Sequence, residues 1–209
     1  MLATRGSCDD GVVPKLIDHD RRAEEIVDAT WRVLASRGVA AASVRKVAAE
    51  AGIATASLRR AFPTQSALLA ASLEALGGRA EARIRALPDA DSRLEHAVAM
   101  LAQTLPLDEE RTVEMRVYLA LGTANLQDDA VTTAFRELRD GIDALCAIAL
   151  ELAGAARPPE EMRPQVVHLA ALIDGLAIHL LQDGDAEAAL AVLREHLRAV
   201  AEASPAPAS

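Results

Sequence analysis

Aromatic residues are scarce in this sequence, which holds one Trp, one Tyr and two Phe among its 209 residues. Hydrophobic residues nevertheless make up 51% of the chain, and Ala and Leu supply most of them. Ala and Leu favour helices, whereas aromatic and β-branched residues favour strands. The composition therefore predicts an all-α protein with enough apolar residues for a core.

Cysteines and long apolar runs are also few. Cys8 and Cys146 are the only cysteines, and their spacing suits neither a disulfide scaffold nor a metal site, which fits a reducing cytoplasm. The first residues lack the apolar segment of a signal peptide, and no run approaches ~18 uninterrupted apolar residues. We therefore expect a cytoplasmic, nucleoid-associated protein with no membrane span.

Signatures of catalysis are missing as well. The sequence contains no nucleophile elbow, phosphate loop or Ser/His/Asp arrangement, so neither an enzyme nor a cofactor is predicted. His168 and His179 would lie ~16 Å apart along one helix, too far to share a metal within one chain. The run Asp108-Glu109-Glu110 suits a solvated first turn of a helix.

Charge is distributed unevenly along the chain. The formal net charge is −9, but residues 1–70 carry +2 and the remainder carries −11. Because attraction to phosphate depends on the local patch that faces DNA, the positive N-terminal part remains compatible with nucleic-acid binding.

Apolar periodicity predicts about nine helices and no strands. We expect a flexible arm over 1–17, a three-helix DNA-binding domain over 18–63, a helical effector-binding and dimerisation domain over 64–203, and a disordered tail over 204–209. The predicted helices cover 20–37, 44–51, 55–62, 64–87, 91–105, 108–125, 128–154, 159–181 and 185–203.

The most informative segment is SVRKVAAEAGIATASLRRAF, which runs from Ser43 to Phe62. Two short helices are joined by a tight turn in which Gly52 supplies a positive φ. This is the helix-turn-helix arrangement, whose second helix enters the major groove. An ordinary helical bundle also needs capped helices and a glycine stop, but not a short second helix that carries two adjacent arginines.

The polar residues of this segment predict the DNA contacts. Short side chains at the start of the second helix allow close approach, and arginines one turn later reach guanine edges or phosphates. Helix N-termini favour phosphate. The predicted DNA-binding residues are Ser43, Val44, Arg45, Lys46, Thr55, Ala56, Ser57, Arg59, Arg60, Thr64 and Gln65.

The run RRAEEIVDATWRVLASRGVAAASVRKVAAEAGIATASLRRAFPTQSALLAASLEAL, which ends at Leu76, resembles the TetR family of repressors. The preceding VPKLIDHDRR and the later LAALIDGLAIHLL resemble the BetI-like subgroup of that family. The matching landmarks are Ile26, Ala29, Gly38, Ser43, Val47-Ala48, Ala51-Gly52-Ile53, Leu58, Phe62 and Leu68-Leu69.

This resemblance implies a homodimeric regulator whose first three helices bind a palindromic operator. An effector in the C-terminal domain would shift the linking fourth helix and release the DNA; repression is expected and activation stays open. The chain departs from the family pattern at several places. Ala54 removes a polar cap that Thr55 could replace, and Gln65 replaces a lysine. Arg59 stands where an aromatic residue is common, and Arg60-Ala61 replace further aromatic or histidine positions. Gly77-Gly78 inside the fourth helix would either kink it or provide a hinge.

Effector and dimer contacts are less well marked. Arg116, Tyr118, Asn125 and Phe135 are the predicted pocket residues, although a solvated Arg116 and a core Tyr118 are the ordinary alternatives. BetI-like relatives suggest choline, but two aromatics cannot build the cage that a quaternary ammonium needs, so an apolar small molecule is expected. Apolar stripes on the last two helices predict the dimer interface and adjacent core at Val166, Leu169, Ile173, Asp174, Leu176, Leu180, Leu190, Leu193 and Leu197.

Two other functions remain open at this point. An enzyme of unrelated chemistry or a helical partner-binding protein would show no DNA affinity and would have no need for Arg59 or Arg60.

Overall fold

The computed structural model describes residues 14–124, 128–155 and 157–203, and within these ranges it contains nine α-helices and no strand. A short 3₁₀ helix, Val39–Ala41, follows the first of them. The α-helices are α1 (Pro14–Arg37), α2 (Val44–Glu50), α3 (Thr55–Ala61), α4 (Gln65–Arg85), α5 (Arg93–Ala102), α6 (Glu109–Gly122), α7 (Asp129–Leu152), α8 (Pro159–Asp183) and α9 (Ala186–Glu202).

The predicted helix boundaries agree with the structure to within three residues, except at the first helix. Helix α1 begins at Pro14 and not near Asp20, because a proline at the first helical position has a suitable φ and needs no hydrogen-bond acceptor. The last residues of the predicted arm are therefore helical. The rest of that arm and residues 204–209 lie outside the described residues.

Side-chain caps fix where most of the helices start. In each case an oxygen of the residue before the helix accepts a hydrogen bond from a backbone N–H of the first turn, which satisfies one of the donors that a helix start leaves unpaired. The capping residues are Ser43, Thr64, Ser92, Asp108, Asp128 and Asp185.

Buried residues form two separate hydrophobic clusters. The first combines α1–α3 with the first half of α4, with Val117 and Leu121 of α6 and with Val131 and Ala134 of α7. The second is built from α5 to α9. The chain division predicted at residue 63 thus differs from the division of the core, since Leu68, Leu73 and Leu76 of α4 pack in the first cluster.

Helix α8 is the one described helix that is long and apolar enough to cross a membrane by length and composition. Its segment Pro159–Gln182 has a mean hydropathy of 1.5, which the search for uninterrupted apolar runs did not reveal. One side of α8, with Leu169, Ile173 and Ala177, is buried in the second cluster. The opposite side leaves Val167 and Ile178 on the surface, so the helix is apolar on both faces.

Candidate functional site

The turn between α2 and α3 is fixed by backbone hydrogen bonds around Gly52. Gly52 has a φ of +66°, and the N–H of Ile53 donates to the carbonyl of Ala48 at 3.0 Å. The N–H of Gly52 donates to the carbonyl of Ala49 at 3.2 Å. This is the Schellman pattern, which needs a left-handed residue after the helix, and the role predicted for Gly52 is confirmed.

Helix α3 is anchored to the protein by one side chain. Leu58 is fully buried against Val47 and Ala48 of α2. Ala54, the residue before α3, provides no side-chain cap, and Thr55 is the first helical residue. Thr55 therefore does not take the capping position, and the start of α3 carries only short side chains.

The predicted DNA-binding residues are exposed or half-buried, and none of them is buried in the core. Arg45, Lys46, Arg59 and Arg60 are exposed, and none of them forms an ion pair with a described acidic residue. The nearby acid Glu50 is engaged elsewhere, since Arg32 of α1 donates to it at 3.0 Å. The exposed members of the remaining set are Ala56, Thr64 and Gln65, and the half-buried ones are Ser43, Val44, Thr55 and Ser57.

A cavity of about 80 Å³ lies between α4, α5, α6, α7 and α8. Most of its wall is apolar, and its polar lining residues include Arg111, Glu114, Tyr118 and Asp174. An outer groove of about 430 Å³ runs along α4 and α7 and shares Ala80, Thr104, Leu138 and Ile142 with the cavity. Small-molecule sites measure roughly 300–1,000 Å³. The volume of the groove falls within this range, whereas that of the inner cavity is smaller.

Glu114 of α6 is the most buried charged side chain at this cavity, with 10% of its side-chain surface exposed. Both its oxygens accept hydrogen bonds from Arg83 of α4, at 2.8 and 2.6 Å. These bonds raise the pKa of Arg83 above its ordinary value, against the opposing effect of burial. The pair fastens α6 to α4 at the edge of the cavity.

A second polar cluster joins α6, α7 and α8. Arg139 donates to the hydroxyl oxygen of Tyr118 at 2.6 Å and to the carboxylate of Asp174 at 3.1 Å. Burial raises the pKa of Tyr118, and the hydrogen bond from Arg139 opposes that rise. Tyr118 thus has a neutral hydroxyl, and Asp174, which was predicted at the dimer interface, lines the cavity.

The structure places the four predicted pocket residues in different locations. Tyr118 lines the cavity. Phe135 stacks on Tyr118, with ring centroids 5.7 Å apart, but lines a separate recess beside Gly122. The prediction for Arg116 is corrected, because this residue is exposed on α6 and does not line the cavity. Asn125 lies outside the described residues.

Sequence reasoning missed Glu114 and its partner Arg83. A signal was present, since Glu110 and Glu114 are spaced four residues apart, as are Arg79 and Arg83. Residues with this spacing share a helix face, and opposite charges on two neighbouring helices would have suggested that the faces meet.

Helix α4 is also tied to the DNA-binding unit. Arg79 forms an ion pair with Asp28 of α1, and its guanidinium lies 4.2 Å from the centroid of the Trp31 ring. The indole N–H of Trp31 donates to the carbonyl of Ser72 at 3.3 Å. One helix therefore contacts both the cavity and the DNA-binding unit.

Most residues predicted at the dimer interface belong to the core of the single chain. The buried ones are Val166, Leu169, Ile173, Leu180, Leu193 and Leu197, which satisfies the expectation of an adjacent core but removes them from the surface. Leu176 and Leu190 are half-buried. Periodicity could not choose between the two faces because α8 is apolar on both.

Both parts of the chain are similar to known proteins. Residues 26–72 match the model of the bacterial regulatory proteins of the tetR family, and residues 93–202 match that of the BetI-type transcriptional repressor C-terminal domain. The second match alone covers more than half of the chain. The chain belongs to the TetR family. The predicted resemblance, including its BetI-like subgroup, is confirmed.

Individual relatives agree with this assignment. The HTH-type transcriptional regulator PksA of Bacillus subtilis is 31% identical over 173 residues, which cover 82% of this chain and 84% of PksA. A transcriptional regulator from Rhodococcus sp. Rha1 is 25% identical with a TM-score of 0.73, over 86% of this chain and 96% of the other. The multidrug binding protein EbrR, crystallised with ethidium, is 29% identical with a TM-score of 0.55, over 84% and 98%.

Membership of this family settles the class of function. The chain is a DNA-binding transcriptional regulator with an N-terminal helix-turn-helix, and such regulators act as dimers and are not enzymes. Proteins of the family also bind small molecules. The enzyme and the partner-binding alternatives are therefore set aside.

Proposed function

We propose that this regulator is a repressor that binds a two-fold symmetric operator as a dimer and leaves it when a small molecule enters the C-terminal cavity. The observation that carries the proposal is the exposed edge of α3. Arg59 and Arg60 there lack ionic partners among the described residues, so they are available to DNA without breaking an internal bond.

The proposed contacts divide into two kinds. Short residues of α3, Thr55, Ala56 and Ser57, allow its first turn to approach the base edges, and Arg59 or Arg60 reads guanine. The outer contacts hold the phosphates on both sides and set the register without reading sequence. These positioning residues are Ser43, Val44, Arg45, Lys46, Thr64 and Gln65.

The dimer surface that we propose is the exposed side of α8 and α9. Val167, Ala171 and Ile178 are exposed, and together with the half-buried Gly175 they recur at a spacing of three to four residues along α8. Val192 of α9 is an exposed apolar residue of the neighbouring helix. Val167 is 57% exposed in the single chain. Burial of apolar area of this kind against a second copy stabilises an obligate dimer.

The effector that we propose occupies the cavity and the groove beside it. Their walls are dominated by aliphatic side chains, which supports a ligand with an apolar body. The cavity contains Tyr118 as its one aromatic ring, so an aromatic cage for choline is not supported. A nucleoid location is part of the same proposal, because it follows from operator binding.

Selection of bound fragments from genomic DNA tests the proposal. Sequence-specific fragments should be enriched, and their affinity should fall steeply with salt because each neutralised phosphate releases counterions. Binding of the same strength to all fragments would contradict the proposal. An increase in transcription from the enriched fragments when the protein is added would favour activation over repression.

A further inference from the structure

Glu114 occupies an unusual position at the cavity, because it lines the wall and is held by an arginine of the helix that leads to the DNA-binding unit. Its side chain is 10% exposed, whereas that of Arg83 is 23% exposed. The Nε of Arg83 is buried without a hydrogen-bond partner among the described residues. The acid is thus the more deeply placed member of an incompletely satisfied pair.

Arg83 has a second carboxylate within reach. Glu110, one turn before Glu114 on α6, lies 3.9 Å from Arg83 and 3.9 Å from Arg79. Its side chain is 62% exposed. Arg83 also donates from Nη2 to the backbone carbonyl of Gln103 at 3.2 Å. It can therefore leave Glu114 and still contact a negative charge.

Glu114 has no such alternative. A buried carboxylate that loses its cation is strongly destabilised, so an uncharged or anionic ligand that separates the pair would leave that loss uncompensated. A cation inserted beside Glu114 replaces the lost charge. Only a cationic ligand can open this pair at low cost.

We propose that the effector is an organic cation with an apolar body, and that its charged group replaces Arg83 as the partner of Glu114. The inference rests on the proposed function, in which this cavity is the effector site. Because Glu110 and Glu114 both lie on α6, transfer of Arg83 to Glu110 shifts the ion pair between α4 and α6 by one turn. Because Arg79 on the next turn of α4 holds Asp28 and Trp31, movement of α4 reaches the DNA-binding unit directly.

The outer groove suits such a ligand. Its wall includes Ile84, Leu138 and Ile148, and two exposed acids are among its lining residues. These acids are Glu137 and Glu81, of which Glu81 is paired with Arg85 at 2.6 Å. Acids at the mouth of an apolar groove raise the local concentration of cations and lower that of anions. The four residues shared with the inner cavity place the apolar body in the groove and the charge beside Glu114.

Two ions of nearly equal size and opposite charge test this inference. Tetraphenylphosphonium and tetraphenylborate are titrated separately into the full-length protein by calorimetry, with no DNA present. We expect the cation to bind at least about tenfold more tightly than the anion, which corresponds to roughly 1.4 kcal/mol. Equal affinities, tighter binding of the anion, or no binding of the cation would overturn the proposal.

Two substitutions should act in opposite directions. Glu114→Gln removes the acceptor and should weaken cation binding about tenfold, whereas Arg83→Met removes the competitor and should strengthen it several-fold. Weaker binding in both variants would indicate structural damage and would overturn the proposal. If Glu114→Gln does not fold, the direction of the change in Arg83→Met decides alone.

A matched control is available in the same chain. Glu95 of α5 and Arg194 of α9 form a pair of the same two-bond geometry, at 2.7 and 3.0 Å, away from the cavity lining. Glu95→Gln and Arg194→Met should leave cation affinity unchanged. Because the titration contains no DNA, a chain that selects no operator contradicts the proposed function, whereas loss of the Glu114 dependence contradicts this inference.

Discussion

At the scale of single residues, the proposed recognition depends on two adjacent guanidinium groups near the end of α3. Arg59 and Arg60 start in different directions around the helix, since consecutive residues are separated by about 100°. We therefore expect them to have different roles in the complex with DNA. We propose that one reads a base and the other holds a phosphate, and binding measurements separate these two roles.

Replacement of each arginine by alanine gives distinguishable losses. Loss of the base-reading arginine should weaken operator binding by about 1–3 kcal/mol per half-site and relax specificity at one base position. Loss of the phosphate-binding arginine should weaken binding to all sequences alike and lower the slope of affinity against salt concentration by about one. Fluorescence anisotropy with the selected operator measures both effects. Arg116→Ala, at an exposed arginine of α6, serves as the control, and unchanged affinity in both α3 variants would contradict the assignment.

Conformation of the backbone can be tested at two glycines with opposite expectations. Ala at Gly52 would have to adopt a φ of +66°, which costs about 1–2 kcal/mol. Ala at Gly78, within α4, meets no atom within 4 Å and should stabilise the helix by about 0.5–1 kcal/mol. Thermal unfolding should thus show a lower Tm for Gly52→Ala and a higher one for Gly78→Ala; a lower Tm for both would contradict the geometry of α4.

Single residues also show where prediction from the sequence succeeds. Gly52, Ser43 and Leu58 were identifiable because turns, caps and anchors depend on neighbours within a few positions. Arg116 was misplaced and Glu114 was missed because their roles depend on α4, which is distant in the sequence. Turns and caps can be predicted from neighbouring residues in the sequence, whereas contacts between side chains of different helices can be seen only in the folded structure.

At the scale of the helices, the packing of α8 against α9 makes stability depend on pH. Burial lowers the pKa of His196 from its ordinary value of 6.5, and the nearby His168 contributes. The rings of the two histidines lie 5.0 Å apart. The neutral form of His196 is therefore favoured in the folded protein.

This shift predicts a loss of stability in mild acid. The unfolded chain protonates His196 at a higher pH than the folded chain does. The contribution of neutral His196 to the free energy of unfolding is therefore complete above pH 6.5, and it is lost as the pH falls through the lower pKa of the folded state. His196→Leu should reduce the drop in Tm between pH 7.5 and pH 5. His96→Leu, at a half-buried histidine of α5, is the control, and an equal drop in wild type and His196→Leu would contradict the prediction.

Helices were the best predicted level of this structure. Proline, glycine and capping residues mark where helices stop and start, so eight of nine helices were bounded closely. The boundary of the two cores was not predicted, because α4 changes partners halfway along its length. Because α4 is continuous through Gly77-Gly78, we expect it to move as one piece. A Cβ added at Gly77 would lie 3.5 Å from the side chain of Leu138, which is an ordinary packing distance.

At the scale of the whole molecule, function requires two copies with α3 helices held at a fixed separation. An acidic residue in the proposed dimer surface should prevent association, because burial of an unpaired charge costs several kcal/mol. Val167→Glu and Ile178→Glu should each shift the mass measured by light scattering towards that of the 22.0 kDa single chain. Ile148→Glu, at an exposed apolar residue of α7, should not, and dimers in all three would contradict the surface.

Loss of the dimer should also remove operator binding, since one α3 alone makes half of the contacts. The proposed dimer face of α8 could not be chosen from periodicity, and only burial within the single chain separates it from the core face. The proposed dimer would also account for the membrane-length apolar composition of α8, because a second copy would cover its outer side.

The most direct test of the account is a hydroxyl-radical footprint of the wild-type protein on an enriched operator. We predict two protected segments, related by two-fold symmetry, whose centres lie one helical turn or about 34–36 Å apart. A single protected segment, or protection without symmetry, would contradict the placement of two α3 helices in successive major grooves.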